Sequence, residues 1–175
     1  QTITTGAGDD TVNLSGTLNN NDTVDLGAGA DTLIVDLDSL SAGAADLSIS
    51  NVETLRLTDT DANAGAIQMD NLAFTTIRLD GDAAGDNTGT ITLTDLAVAS
   101  NTFTMVGTGA AGTEFFNGLT VDYDTTTTQS GATLTVGNGG TDSTDILVTK
   151  FDIDRVGRGE QSKVEGRVFY ARCVI

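Results

Sequence analysis

Histidine, tryptophan and proline are absent from this chain, and cysteine occurs once, at Cys173. Without histidine, the commonest general base at neutral pH and a principal zinc ligand are missing. A single cysteine excludes an intrachain disulfide. Basic residues are scarce, eight against 25 acidic ones, for a formal net charge of -17. Such a polyanion repels nucleic acid and acidic lipid, so neither is an expected partner. Its natural counterpart is a cation. No apolar run reaches the ~18 residues of a membrane span. There is no apolar leader either, and a chain that starts at Gln1 reads as a processed product or a fragment. Aromatic residues make up 5%, little for the core of a compact sandwich.

The acidic residues that are present have a bias. Only Glu53, Glu114, Glu160 and Glu165 are glutamates; the rest are aspartates. Aspartate belongs to turns, where its short side chain bonds local backbone. An acidic coat would recruit both acids, so the bias favours aspartates at turns.

Between the turns lie short alternating runs: Val12-Asn13-Leu14, Val24-Asp25-Leu26, Leu55-Arg56-Leu57, Ile77-Arg78-Leu79, Ile91-Thr92-Leu93, Phe103-Thr104-Met105, Leu119-Thr120-Val121 and Leu134-Thr135-Val136. A period of two with threonine on the outer face marks half-buried strands. Clusters of Gly, Asn, Asp and Ser separate them, as at Gly81-Asp82-Ala83-Ala84-Gly85-Asp86-Asn87. Regular short strands fit a sandwich, a barrel or a solenoid. The recurring aliphatic-Thr-aliphatic vocabulary favours the solenoid, whose narrow core is filled by stacked Leu, Ile and Val. Asp36–Ala45 reads as a helical turn or a loop.

One phrase returns along the chain: Gly6-Ala7-Gly8-Asp9-Asp10-Thr11-Val12, then Gly27-Ala28-Gly29-Ala30-Asp31-Thr32-Leu33. A degenerate version, Asn19-Asn20-Asn21-Asp22-Thr23-Val24, stands between them, and Gly139-Gly140-Thr141-Asp142-Ser143-Thr144-Asp145-Ile146 is an echo. Glycines let the backbone take positive φ and aim its carbonyls at one point. The aspartate adds a hard oxygen, and carbonyls with carboxylates are what calcium prefers. The phrase resembles the RTX nonapeptide G-G-x-G-x-D-x-U-x. Gly6, Gly8, Asp10 and Val12 match it in the first instance, and Gly27, Gly29, Asp31 and Leu33 in the second, with Thr5 and Leu26 in place of the leading glycine. Ile49-Ser50-Asn51-Val52-Glu53-Thr54-Leu55-Arg56-Leu57 resembles the rungs that follow such turns in bacterial surface-layer and type I-secreted proteins.

The resemblance implies an all-β fold, a parallel β-solenoid of the β-helix or β-roll kind with Gly/Asp-rich turns. It implies calcium at Gly6, Gly8, Asp10, Asp22, Gly27, Gly29, Asp31, Asp142 and Asp145, an extracellular or cell-surface location, and no catalytic site. Ordinary Asx-turns are the alternative reading of the same aspartates, and the preferred one for Asp80, Asp82 and Asp86. The expected function is structural: a calcium-stabilised protein that assembles with itself into a surface layer, sheath or filament. The alternatives are the repeat region of a secreted adhesin, with a cell-surface glycan as partner, and the non-catalytic region of a secreted hydrolase.

Composition changes near the end. Six of the eight basic residues lie in the last 26 positions, from Lys150 to Arg172. Residues 1–149 therefore read as the acidic solenoid, and residues 150–175 as a basic docking or capping segment.

Overall fold

A computed structural model describes residues 1–41, 47–58, 66–69, 72–81, 90–96, 100–107, 114–116, 118–123, 131–138, 146–148, 151–155 and 169–171. The alternating runs form strands that stack as the coils of a β-solenoid. The chain runs through β1 (Thr2–Ala7), β2 (Thr11–Asn13), β3 (Thr23–Ala28), β4 (Thr32–Asp36), a one-turn helix α1 (Leu37–Ser41), β5 (Ser48–Ser50), β6 (Thr54–Thr58), β7 (Ala66–Gln68) and β8 (Thr76–Gly81). It continues through β9 (Thr90–Leu96), β10 (Ser100–Gly107), β11 (Glu114–Phe116), β12 (Gly118–Tyr123), β13 (Gly131–Asn138), β14 (Ile146–Val148), β15 (Phe151–Arg155) and β16 (Phe169–Ala171). Helix α1 lies inside the stretch that reads as a helical turn or a loop.

One sheet is the spine. Its six strands follow the order β2-β4-β6-β8-β10-β13, every neighbour parallel. Successive coils enter it at Thr11, Thr32, Thr54, Thr76, Thr102 and Thr133, which stand in register as one threonine column. Two further parallel sheets close the other sides, β1-β3-β5 and β7-β9-β12-β15. β5, β6 and β7 follow one another into three different sheets, so that coil is three-sided. A small fourth sheet, β11-β14-β16, holds the one antiparallel pairing among the described strands, β14 with β16.

The alternation explains the packing. Every second residue of a strand points to one face, so each coil puts the same columns inward. On the spine, Leu33, Leu55, Ile77 and Phe103 stack in register and are fully buried. Val35, Leu57 and Leu79 form the second inward column. Val24 and Leu26 from β3, Ile67 from β7, Leu93 from β9 and Val121 from β12 meet them from the other sides. Each such side chain contributes roughly 1.5–3 kcal/mol of burial. Threonines take the outward positions, where β-branched residues suit a pleated surface.

Repeat length drifts, and the register absorbs it. The threonine column advances by 21 residues from Thr11 to Thr32 and by 31 from Thr102 to Thr133. Only the inward columns must recur; the connections between sheets can lengthen. Two strands of the basic segment are described. β15 pairs in parallel with β12, Leu119 opposite Phe151, and β16 pairs with β14.

The coil spacing also dictates two glycines. Parallel strands lie roughly 4.8 Å apart, and at the first corner Gly6 pairs with Gly27 and Ala7 with Ala28. A Cβ on Gly27 would sit 1.8 Å from the Gly6 carbonyl oxygen, and one on Gly29 2.1 Å from that of Gly8. Gly27 also takes φ +91°, where an L side chain is strained. Gly27→Ala is therefore expected to cost about 3 kcal/mol, from strain plus the forced separation of coils. Gly8→Ala meets nothing within 4 Å and should cost only about 1 kcal/mol for its positive φ. Thermal melts of the two variants check this, and equal losses would contradict the close approach.

Candidate metal site at the stacked glycine turns

The residue before each spine threonine occupies a corner column. In the first three coils it is Asp10, Asp31 and Glu53. The backbone carbonyl of each accepts from the next coil: Thr32 N–H donates to Asp10 O at 2.8 Å, Thr54 N–H to Asp31 O at 2.9 Å, and Thr76 N–H to Glu53 O at 2.9 Å. The side chains run the opposite way. Glu53 Oε2 accepts the Asp31 N–H at 2.8 Å, and Asp31 Oδ1 accepts the Asp10 N–H at 2.7 Å. Each carboxylate thus reaches back one coil and caps a corner amide. Asp9 answers in the other direction, its Oδ1 accepting the Ala30 N–H at 2.8 Å.

Asp31 is the centre of this column. It is fully buried, and its second oxygen, Oδ2, has no hydrogen-bond partner. A buried polar oxygen that lacks a partner costs about 1–3 kcal/mol. The position carries that cost beside Asp10 and Glu53, in a chain of net charge -17. The donor chemistry fits a hard cation here: Asp31 Oδ2 faces no competing N–H, and Asp10 stands one coil before it in the same column. Among the described residues, no three Asp, Glu, His or Cys side chains gather closely enough to hold a metal by themselves. A cation at this corner would complete its shell with carbonyls and water, as calcium does.

The other expected ligands divide between this corner and other places. Gly6, Gly8, Gly27 and Gly29 form the corner just described. Asp22, though buried, belongs to a different corner, where it pairs with the Gln1 ammonium and accepts from Asn19 N–H at 2.9 Å and Asn19 Nδ2 at 3.0 Å. Asp142 and Asp145 lie outside the described residues, as do Asp82 and Asp86. Asp80 is described and buried, and it sits between Arg56 and Arg78.

Asp25 and Asp36 use the same carboxylate-to-coil contact. Asp25 Oδ1 accepts from Asn51 Nδ2 at 2.7 Å, which steadies Asn51 at its positive φ of 54°. Asp36 caps α1, its Oδ1 accepting the Ser39 N–H at 2.6 Å while Oδ2 accepts the Gly16 N–H from another coil. The aspartate bias identified the turns; the pairing between coils could not be read, because the partners lie 20 to 26 positions away.

Comparison with protein-family models, with curated proteins and with solved structures returned no match.

Among the described residues, two carboxyls are held below their ordinary value. The Gln1 ammonium and the Asn19 N–H hold Asp22 below its ordinary 3.8, against the opposing effect of desolvation. Burial pulls Asp36 up, but the bonds from Ser39 and Gly16 outweigh it and leave the group below 3.8 as well. A carboxyl depressed in the folded state stabilises fully above its unfolded value and loses that contribution as pH falls through the folded one. Wild-type and Asp36→Asn melts should therefore differ most above the ordinary carboxyl range and converge as pH falls through the lowered folded value of Asp36. A difference independent of pH would show that the charge of Asp36 plays no part.

Proposed function

We propose that this chain is a calcium-stabilised structural solenoid that acts outside the cell and assembles with copies of itself into a surface layer, sheath or filament. One observation carries the reading: the buried, unpartnered Asp31 oxygen at a stacked glycine corner of a chain with net charge -17. Calcium at that corner would satisfy Asp31, offset the repulsion along the Asp10–Asp31–Glu53 column, and bind the folded coils but not the unfolded chain. Binding of that kind stabilises by mass action, about 2.7 kcal/mol at a hundredfold excess over Kd. Millimolar calcium is an extracellular condition, which ties folding to export.

The calcium arm is tested by thermal melts followed by circular dichroism. Calcium should raise the melting temperature of the wild type and chelator should lower it. Asp31→Asn, which keeps the shape and one acceptor, should blunt the response, while Asp82→Ala should leave it intact. A wild-type melt indifferent to both chelator and millimolar calcium would overturn the reading.

The assembly arm rests on charge. Residues 150–175 carry about +2 against -19 for the rest, a contact between unlike surfaces that can propagate into an open polymer. Because β15 and β16 are paired into the solenoid, deleting the segment would remove strands as well as charge. The cleaner test neutralises Lys163, Arg167 and Arg172 to glutamine. Light scattering and electron microscopy in calcium should then show folded protein with reduced assembly. Assembly equal to that of the unaltered chain would remove the basic segment from the contact.

A further inference from the structure

The first 149 residues contain only two basic side chains, Arg56 and Arg78. The fold brings them together. They pair in register on β6 and β8, on the outer face of the spine, roughly 4.8 Å apart along the coil axis. Like charges directly opposite each other on a sheet are destabilising. Both are anchored to one carboxylate: Arg56 Nε donates to Asp80 Oδ2 and Arg78 Nε to Asp80 Oδ1, each at 2.5 Å. Asp80 is only 4% exposed, whereas each arginine side chain is 35% exposed. One buried carboxylate thus holds both guanidiniums by Nε.

The anchoring leaves a recognition edge. A guanidinium has five N–H donors, and Asp80 engages the Nε–H of each. The Nη donors of both arginines have no acceptor among the described residues, and this is the edge that takes an oxyanion in a two-point contact. Because Nε is already held, little side-chain freedom remains to be lost on binding. Thr54 and Thr76 flank the pair on one side; Ile34 precedes it and Thr104 follows it in the same column. All four are half-buried. The face therefore offers a cationic pair, hydroxyls and one apolar side chain.

We propose that this face binds an acidic glycan. A carboxylate of a uronic acid lies on the Arg56–Arg78 edge, sugar hydroxyls meet the threonines, and the apolar face of a ring rests on Ile34. Charge density selects the class. Nucleic acid, with a phosphate charge every few ångströms, is repelled by the surrounding -17; a glycan with widely spaced carboxylates is not repelled to the same degree. An open sheet face also suits an extended chain crossing several coils better than an enclosed small molecule. The inference does not depend on calcium or on self-assembly.

The test is an NMR titration of the whole chain with a tetrasaccharide carrying one uronic acid. Its neutral analogue and inorganic sulfate serve as separate probes. The acidic tetrasaccharide should bind and shift the amides of β6 and β8, and the neutral one should not. Arg56→Lys and Arg78→Lys keep the charge but lose the two-point edge, and should weaken binding about tenfold with melting temperatures near wild type. Thr92→Ser, on β9 in a different sheet, should leave binding unchanged. Absence of binding, equal binding of the neutral sugar, or full affinity in both lysine variants would overturn the proposal. Sulfate bound as tightly as the acidic sugar would make this a bare anion site and overturn the sugar assignment. If the lysine variants alter self-association while sugar binding persists, the arginines face a second copy and the proposal is likewise wrong.

Discussion

The parallel ladder sets neighbouring coils roughly 4.8 Å apart, and most of what is distinctive in this chain answers to that spacing. Backbones so close leave no room for a side chain at the corner, so Gly27 and Gly29 face the carbonyls of Gly6 and Gly8. The same spacing lets a short carboxylate on one coil reach an amide on the next. Asp9, Asp31 and Asp36 all make that contact, and Glu53 makes it with a longer arm. It also forces identical side chains to stack, which gives the threonine column and the inward aliphatic columns.

Stacking is favourable for apolar side chains and costly for charges. Leu33, Leu55 and Ile77 gain from lying over one another, because each removes the other from water. Asp10, Asp31 and Glu53 repel one another, and the corner amides offset only part of this. Asp31 Oδ1 is satisfied and Oδ2 is not. Arg56 and Arg78 show the opposite sign of the same problem, resolved by a shared carboxylate at Asp80. Among the described residues, these are two places where the stacking of coils brings like charges together. The calcium reading and the glycan proposal grow from them for that reason.

The fold was legible because local chemistry repeats. Period-two runs such as Leu55-Arg56-Leu57 mark strands and Gly/Asp clusters mark turns, which gives an all-β chain; the recurring aliphatic-Thr-aliphatic vocabulary then singles out the solenoid. The helical option at Asp36–Ala45 rested on weaker signals, and α1 spans Leu37–Ser41 within it. The candidate corner was half legible. Gly6, Gly8, Asp10, Gly27, Gly29 and Asp31 were identified as one kind of turn, and they stack. Asp22 carried the same local signature yet serves a separate corner, because position within a coil, not the surrounding motif, decides what a side chain faces.

The amino-acid sequence by itself determined the strands, the turns, the excess of negative charge and the inward and outward sides of each strand, since all of these depend on residues one to four positions apart. Tertiary structure alone decided which residues become neighbours across coils. That choice depends on connection lengths that vary from coil to coil, and no local pattern encodes them. The meeting of Arg56 with Arg78 over Asp80, and the burial of Asp31 with one oxygen unmatched, arise from how many residues each coil spends between its sheets.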